Sequence, residues 1–171
     1  MNIAVSLAME DFVKRFGAVY EHSPWVAEQC FVQACKVQDP VKLAEIFAAC
    51  VDRAGTETKL ALIRAHPDLA GRAAVAGGLT ADSSDEQASA GIGQCTPEEF
   101  RRFQEHNARY KEKFGFPFIM AVRNSNRHQI LAAFERRLKN SRDQEFEQAM
   151  VEIHEIARLR LAKMFEGSSK V

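Results

Sequence analysis

The chain has 171 residues, with 23 Lys+Arg against 23 Asp+Glu and a formal net charge of zero. That length suffices for one sizeable core, and the charge balance excludes the strongly basic face of a nucleic-acid or anionic-membrane binder. No apolar run reaches the roughly 18 residues of a membrane span. The opening MNIAVSLAMEDF has no basic n-region and meets Glu10 and Asp11 early, so it does not read as a signal peptide. The closing stretch, 167–171, reads as a short polar tail and not as a peroxisomal Ser-Lys-Leu signal. Cysteines 30, 35, 50 and 95 form no CxxC pair, and three lie in apolar helical patterns. They read as buried free thiols of a cytoplasmic protein; a Cys nucleophile is the weaker alternative, since no histidine lies near any of them in sequence.

In chain order the pattern predicts about eight helices and no sheet. Ser6 is expected to cap a first helix carrying Phe12, Phe16 and Val19. Ser23-Pro24 reads as a cap followed by proline at the first helical position, opening a helix from Trp25 to about Lys36. Asp39-Pro40 repeats that signal, with Leu43, Ile46, Phe47 and Cys50 as the stripe and Gly55 as the stop. Thr56 opens the next helix, which buries Leu60 and Ile63 and is closed by Pro67. A less regular stretch rich in Ala and Gly runs from Asp68 to Asp82. Ser83 with Glu86 then forms a capping-box pattern, and Ser84 with Gln87 a second, one residue out of step. Thr96-Pro97-Glu98-Glu99 opens a long helix with Phe100, Phe103, Asn107, Tyr110 and Phe114 on one face and Gly115 at its end. Phe116-Pro117-Phe118-Ile119 reads as an extended, buried segment. Asn126 or Ser125 opens a helix carrying Ile130, Leu131, Phe134 and Leu138; Ser141 with Gln144 opens the last, running to about Phe165. The expected fold is all-α, a compact single-domain helical bundle over 1–166.

The chemistry-bearing residues stand at odd places in this scheme. His66 directly precedes Pro67, where backbone is pushed out of the helical region, so its side chain can point into a cleft at a helix end. His66 and Glu86 would make a metal-free acid–base pair. The plainer alternatives are a histidine that bonds the last helix carbonyls and a glutamate, with Ser83 and Gln87, that serves only a capping box. On a helical wheel centred on Ile153, residues Phe146, Met150, Ile156, Ala157 and Met164 fall within about 60°. Arg160 falls about 20° from that centre and Arg158 about 140° away. Arg160 therefore points into the core and needs an anion there, either substrate or an internal carboxylate. His22 precedes a helix cap, His106 and His154 are expected on polar faces, and His128 lies near a helix start. No HxxxH or HxxE spacing joins them, so no metal site is expected. The extended 116–119 segment leaves backbone groups without helical partners, to be met by a planar amide-rich ligand or by pairing within the protein.

Five stretches carry a resemblance: FGAVYEHSPWVAE at 16–28, AHPDLAG at 65–71, SSDEQASAGI at 83–92, NARYKEKFGFPFIMAVR at 107–123 and IARLRL at 156–161. In these the chain resembles the OHCU decarboxylases, which convert 2-oxo-4-hydroxy-4-carboxy-5-ureidoimidazoline to (S)-allantoin in urate breakdown. The resemblance implies an all-α fold and neither metal nor organic cofactor. It assigns His66 as catalytic histidine and Glu86 as partner carboxylate. It places Pro67, Ser83, Gln87 and Arg160 around the substrate, with backbone near Phe116, Phe118 and Ile119 gripping its ring. It implies a small-molecule partner, is compatible with a homodimer, and covers the decarboxylase step alone, since no transthyretin-like hydrolase segment accompanies the motifs. Two other readings compete: a helical binding module without chemistry, and a metal-free hydrolase that turns His66 and Glu86 on water. The first leaves Arg160 in the core stripe unexplained; the second releases no CO₂.

Overall fold

Asp39 shows how the capping signals work out. Its side chain accepts from the Val41 backbone N–H at 2.9 Å, and Pro40 opens the helix behind it, where a missing N–H costs nothing. The computed structural model describes residues 3–71 and 77–166. Within them lie α1 (Ile3–Phe16), α2 (Trp25–Ala34), α3 (Pro40–Asp52), α4 (Thr56–Arg64), α5 (Ala81–Ser89), a 3-10 turn (Ile92–Gln94), α6 (Pro97–Phe114), α7 (Arg127–Arg137) and α8 (Arg142–Glu166). Among the described residues there is no strand, so the all-α expectation holds. The chain falls into two compact units, Met1–Ala65 with His154–Val171, and His66–Ile153.

In the first unit Phe12, Phe16, Phe31 and Phe47 form an aromatic cluster with centroids 4.8 to 6.3 Å apart. Leu43, Val51, Leu62 and Ile63 are buried with them. In the second, Tyr110, Phe114, Phe116, Phe118 and Phe134 form another, with Phe118 stacked on Phe134 at 3.8 Å. The first cluster arises from aromatic residues at helical spacing; the second adds Phe116 and Phe118 from the non-helical segment after α6, and burial drives each unit to close.

Three capping boxes form, two at expected pairs and one, at Asn126, where only the opening residue was expected. Thr96 pairs with Glu99, Asn126 with Gln129, and Ser141 with Gln144. Gly115 ends α6 at φ 78°, a left-handed conformation that glycine adopts without strain. Three other starts differ. Helix α1 already begins at Ile3, so Ser6 is not its cap; the Ser6 side chain lies outside the described residues, as does the 167–171 tail. Ser23 does not cap α2, because its hydroxyl donates to the Glu21 carbonyl at 2.9 Å and Pro24 takes the cap position. Helix α4 opens at Thr56 as expected, but with Gly55 as its cap; α3 has already ended at Asp52, with Arg53 and not Gly55 as its C-cap.

The fourth difference matters most. Helix α5 starts at Ala81, two residues before the expected box, and its cap is Thr80, which accepts from the Ser83 N–H at 3.3 Å. Neither Ser83–Glu86 nor Ser84–Gln87 is a capping box. The irregular stretch is correspondingly shorter, and its residues 72–76 lie outside the described ones.

Candidate active site

With Thr80 as cap, Ser83, Glu86, Gln87 and Ala90 fall at i, i+3, i+4 and i+7 of α5, which is one helix face. That face is buried: Ser83 is 4 % exposed, Glu86 8 % and Gln87 5 %. Helices normally turn apolar side chains inward and polar ones out; α5 turns a hydroxyl, a carboxylate and an amide inward. Capping does not explain them.

His66 is also buried, 8 % exposed, and lies just beyond the last residues of α4. The turn that follows is tightly built. Ala70 has φ 52°, a left-handed conformation that costs a residue with a Cβ about 1–2 kcal/mol. A Cβ at Gly71 would lie 2.7 Å from the Asp68 Cβ, so only glycine lets the chain fold back there. Gln87 holds this turn from α5. Its Oε1 accepts from the Ala70 N–H at 3.1 Å, and its Nε2 donates to the Asp68 carbonyl at 3.3 Å. Helix α6 holds it from another side, with Gln104 Nε2 donating to the Ala70 carbonyl at 2.6 Å and Asn107 Nδ2 to the Leu69 carbonyl at 2.8 Å. Lys111 pairs with Asp68 at 2.6 Å. Thus the loop carrying His66 and the helix carrying Glu86 are bonded through Glu86's neighbour in sequence. A cavity of about 420 Å³, lined by Pro67, Asp68, Gly71, Gln104, Asn107, Ala108 and Lys111, opens beside the turn.

The 116–119 segment is non-helical and buried. Phe116 and Phe118 place their rings in the aromatic cluster. Pairing within the protein satisfies part of its backbone: Arg137 Nη1 donates to the Ile119 carbonyl at 2.6 Å.

Arg160 is buried, 2 % exposed in its side chain, and Arg158 is exposed, as the wheel requires. Arg160 pairs with Glu21 at 2.8 Å and donates to the Ala18 and Val19 carbonyls at 3.4 Å, all within the first unit. An internal carboxylate therefore faces Arg160.

Two histidine expectations are corrected. His106 is buried, not on a polar face, and stacks on Phe134 at 5.5 Å; burial holds its pKa below the usual value. His154 is half-buried and bridges Tyr20 at 2.9 Å and Asp52 at 3.0 Å. Of the cysteines, 30 and 50 are buried, but Cys35 is exposed and Cys95 half-buried. Burial and a hydrogen bond with Cys50 push the Cys30 thiol up to about 12, and burial raises Cys95, the reverse of an activated thiolate. Among the described residues no three His, Cys, Asp or Glu side chains gather as a metal site would need.

The sequence reading missed Glu21, Arg137 and Glu145. Glu145 is fully buried and accepts from Tyr110, from Arg137 Nε at 2.9 Å and from Asn140 at 2.8 Å. The wheel that placed Arg160 would have found Arg137, which lies about 20° from Ile130.

The model of the OHCU decarboxylase family matches residues 5–162. The 2-oxo-4-hydroxy-4-carboxy-5-ureidoimidazoline decarboxylase of Haloferax volcanii is 42% identical over 163 residues, covering 92% of this chain and 91% of the relative. That of Mus musculus is 34% identical, covering 96% and 92%. A crystal structure of (S)-allantoin synthase superposes with a TM-score of 0.71 at 31% identity, over 94% of this chain and 53% of that one. A crystal structure of OHCU decarboxylase in the presence of (S)-allantoin shares the fold, with a TM-score of 0.67 at 23% identity over 83% and 91%. A family match of this extent, with relatives alike over nearly their whole length, is shared descent: the chain belongs to the OHCU decarboxylase family.

Proposed function

We propose that the chain decarboxylates 2-oxo-4-hydroxy-4-carboxy-5-ureidoimidazoline to (S)-allantoin in urate breakdown, with His66 and Glu86 as its acid–base pair. The observation that carries this reading is the buried polar face of α5, which capping does not account for and which is tied through Gln87 to the turn after His66.

The substrate carries its own electron sink. Its carboxylate sits on a carbon that bears a hydroxyl and adjoins a C=N bond. When the C–CO₂ bond breaks, its electron pair forms a C=C bond, and the former C=N pair moves to nitrogen, which takes a proton. The hydroxyl then gives up its proton as a C=O forms, and the neighbouring carbon takes a proton on one face. One proton is consumed overall and CO₂ leaves. Pyridoxal phosphate provides such a sink for other decarboxylases; here the protein needs only to orient and to move protons.

His66, neutral at the start, takes the hydroxyl proton, and Glu86 orients His66 or the same hydroxyl. Acid–base catalysis of this kind contributes about 10²–10⁴-fold, and positioning supplies more. Ser83, Gln87 and Pro67 contact the substrate; the amide of Gln87 retains a second N–H for this. Backbone near Phe116, Phe118 and Ile119 meets the ring, and Arg160 is retained as a substrate contact on the family resemblance alone. The proposal includes a cytoplasmic location and a homodimer.

The test uses substrate generated freshly from urate. Purified protein should accelerate formation of one allantoin enantiomer, read by circular dichroism, above spontaneous decay, with matching CO₂ release. Turnover without CO₂ would favour the hydrolase reading, and no acceleration the binding module.

A further inference from the structure

Gln104 and Asn107 are assigned no part in the reaction above, yet they grip the turn that follows His66. They sit three residues apart on α6, with Lys111 four further on, so all three share one helix face. They meet successive parts of one turn. Lys111 takes the Asp68 carboxylate at 2.6 Å, Asn107 the Leu69 carbonyl at 2.8 Å, and Gln104 the Ala70 carbonyl at 2.6 Å. Backbone outside helices must find partners when buried, and solvent or a loose loop could have served. Here the donors come from an 18-residue helix that Phe103, Tyr110 and Phe114, fully buried among aromatic rings, anchor in place. The held turn is strained: Ala70 sits at φ 52°, a left-handed conformation that the surrounding bonds must maintain.

We infer that Asn107 and Gln104 are positioning residues for His66: their amide donors fix the Leu69 and Ala70 carbonyls, respectively, and thereby set the place of the imidazole three and four residues upstream. The inference rests on the reading of His66 as the acid–base group. It gives α6 a function separate from packing, and it divides the work between two helices. Gln87 of α5 fixes the turn from the Glu86 side, and α6 fixes it from the other. A base displaced by a fraction of an ångström from its proton loses rate and not affinity, so the signature is in kcat.

The test is Gln104→Leu and Asn107→Leu, each removing the donor. Gln104 is half-buried, so its variant keeps the core whole if that of Asn107, buried at 3 % exposure, does not. Expected is a fall in kcat of about 10- to 100-fold with KM changed by no more than about threefold. The ring signal of His66 in a histidine carbon–proton NMR spectrum, assigned by its loss in His66→Asn, should shift or broaden in both variants. Folded variants with wild-type kcat overturn the inference, as does a fall in kcat with an unmoved His66 signal. His66→Asn in the same assay separates the two claims. If it keeps turnover, the acid–base reading falls; if it is inactive while both amide variants work normally, the positioning inference alone falls.

Discussion

At the scale of single residues, burial and capping decide which polar groups have a purely structural role. Glu86 has none at the helix start, because Thr80 caps α5. Glu86→Gln therefore leaves the helix intact and should lower turnover by about 10²–10⁴-fold with little change in Tm. Steady-state kinetics beside a thermal melt measures both; full activity would return Glu86 to an ordinary buried residue. The two arginines of α8 make a matched pair. Arg158 holds Glu155 on the surface at 2.6 Å, and such pairs contribute under about 1 kcal/mol, so Arg158→Leu should barely move Tm. Arg160 faces Glu21 in the interior, and its removal leaves a buried carboxylate unpaired. Arg160→Leu should cost about 3–5 kcal/mol. A denaturant titration in which the two variants match would contradict the burial assigned to Arg160.

Among the elements, α5 shows what a sequence displays and what it hides. Asp39-Pro40, Thr96 with Glu99, Asn126 and Ser141 with Gln144 are visible because a cap and its helix are neighbours in the chain. The non-helical 116–119 segment is visible because proline and an apolar run conflict with helix. For α5 the sequence reading takes Ser83 and Ser84 as caps and passes over Thr80, a third residue with a capping hydroxyl three positions earlier, which the structure uses. The turn at 68–71 was the harder case. Its shape depends on Gln87, Gln104 and Asn107, which are 17 to 38 residues distant, and no local spacing encodes such contacts. Glu21 opposite Arg160 was hidden for the same reason, although the wheel showed that Arg160 needed an anion. Thr80→Ala should destabilise α5 by about 1 kcal/mol, seen as faster amide exchange in its first turn, whereas Ser84→Ala on the exposed face should be silent. The reverse order would restore the capping box that the sequence suggested.

For the whole molecule, ionisation couples to stability through His106. Burial holds its folded-state pKa below the unfolded value, with nearby Glu135 opposing. Above about pH 6.5 the group is neutral in both states and contributes no pH dependence. Below that, the unfolded chain takes up the proton first, so stability falls on acidification until the folded protein is protonated as well. His106→Phe keeps a ring against Phe134 and removes the titration. Its Tm should fall less steeply than wild type between about pH 7 and pH 5; an unchanged slope would assign the acid sensitivity elsewhere. The central claim concerns how the family's chemistry is performed here: a histidine on a clamped turn moves the proton. The most direct measurement is kcat for (S)-allantoin formation by His66→Asn, followed by circular dichroism against spontaneous decay. The account predicts a loss of roughly 10²–10⁴-fold with an unchanged melting temperature, since asparagine can hydrogen-bond there but cannot accept the proton. Wild-type turnover by the folded variant would contradict it.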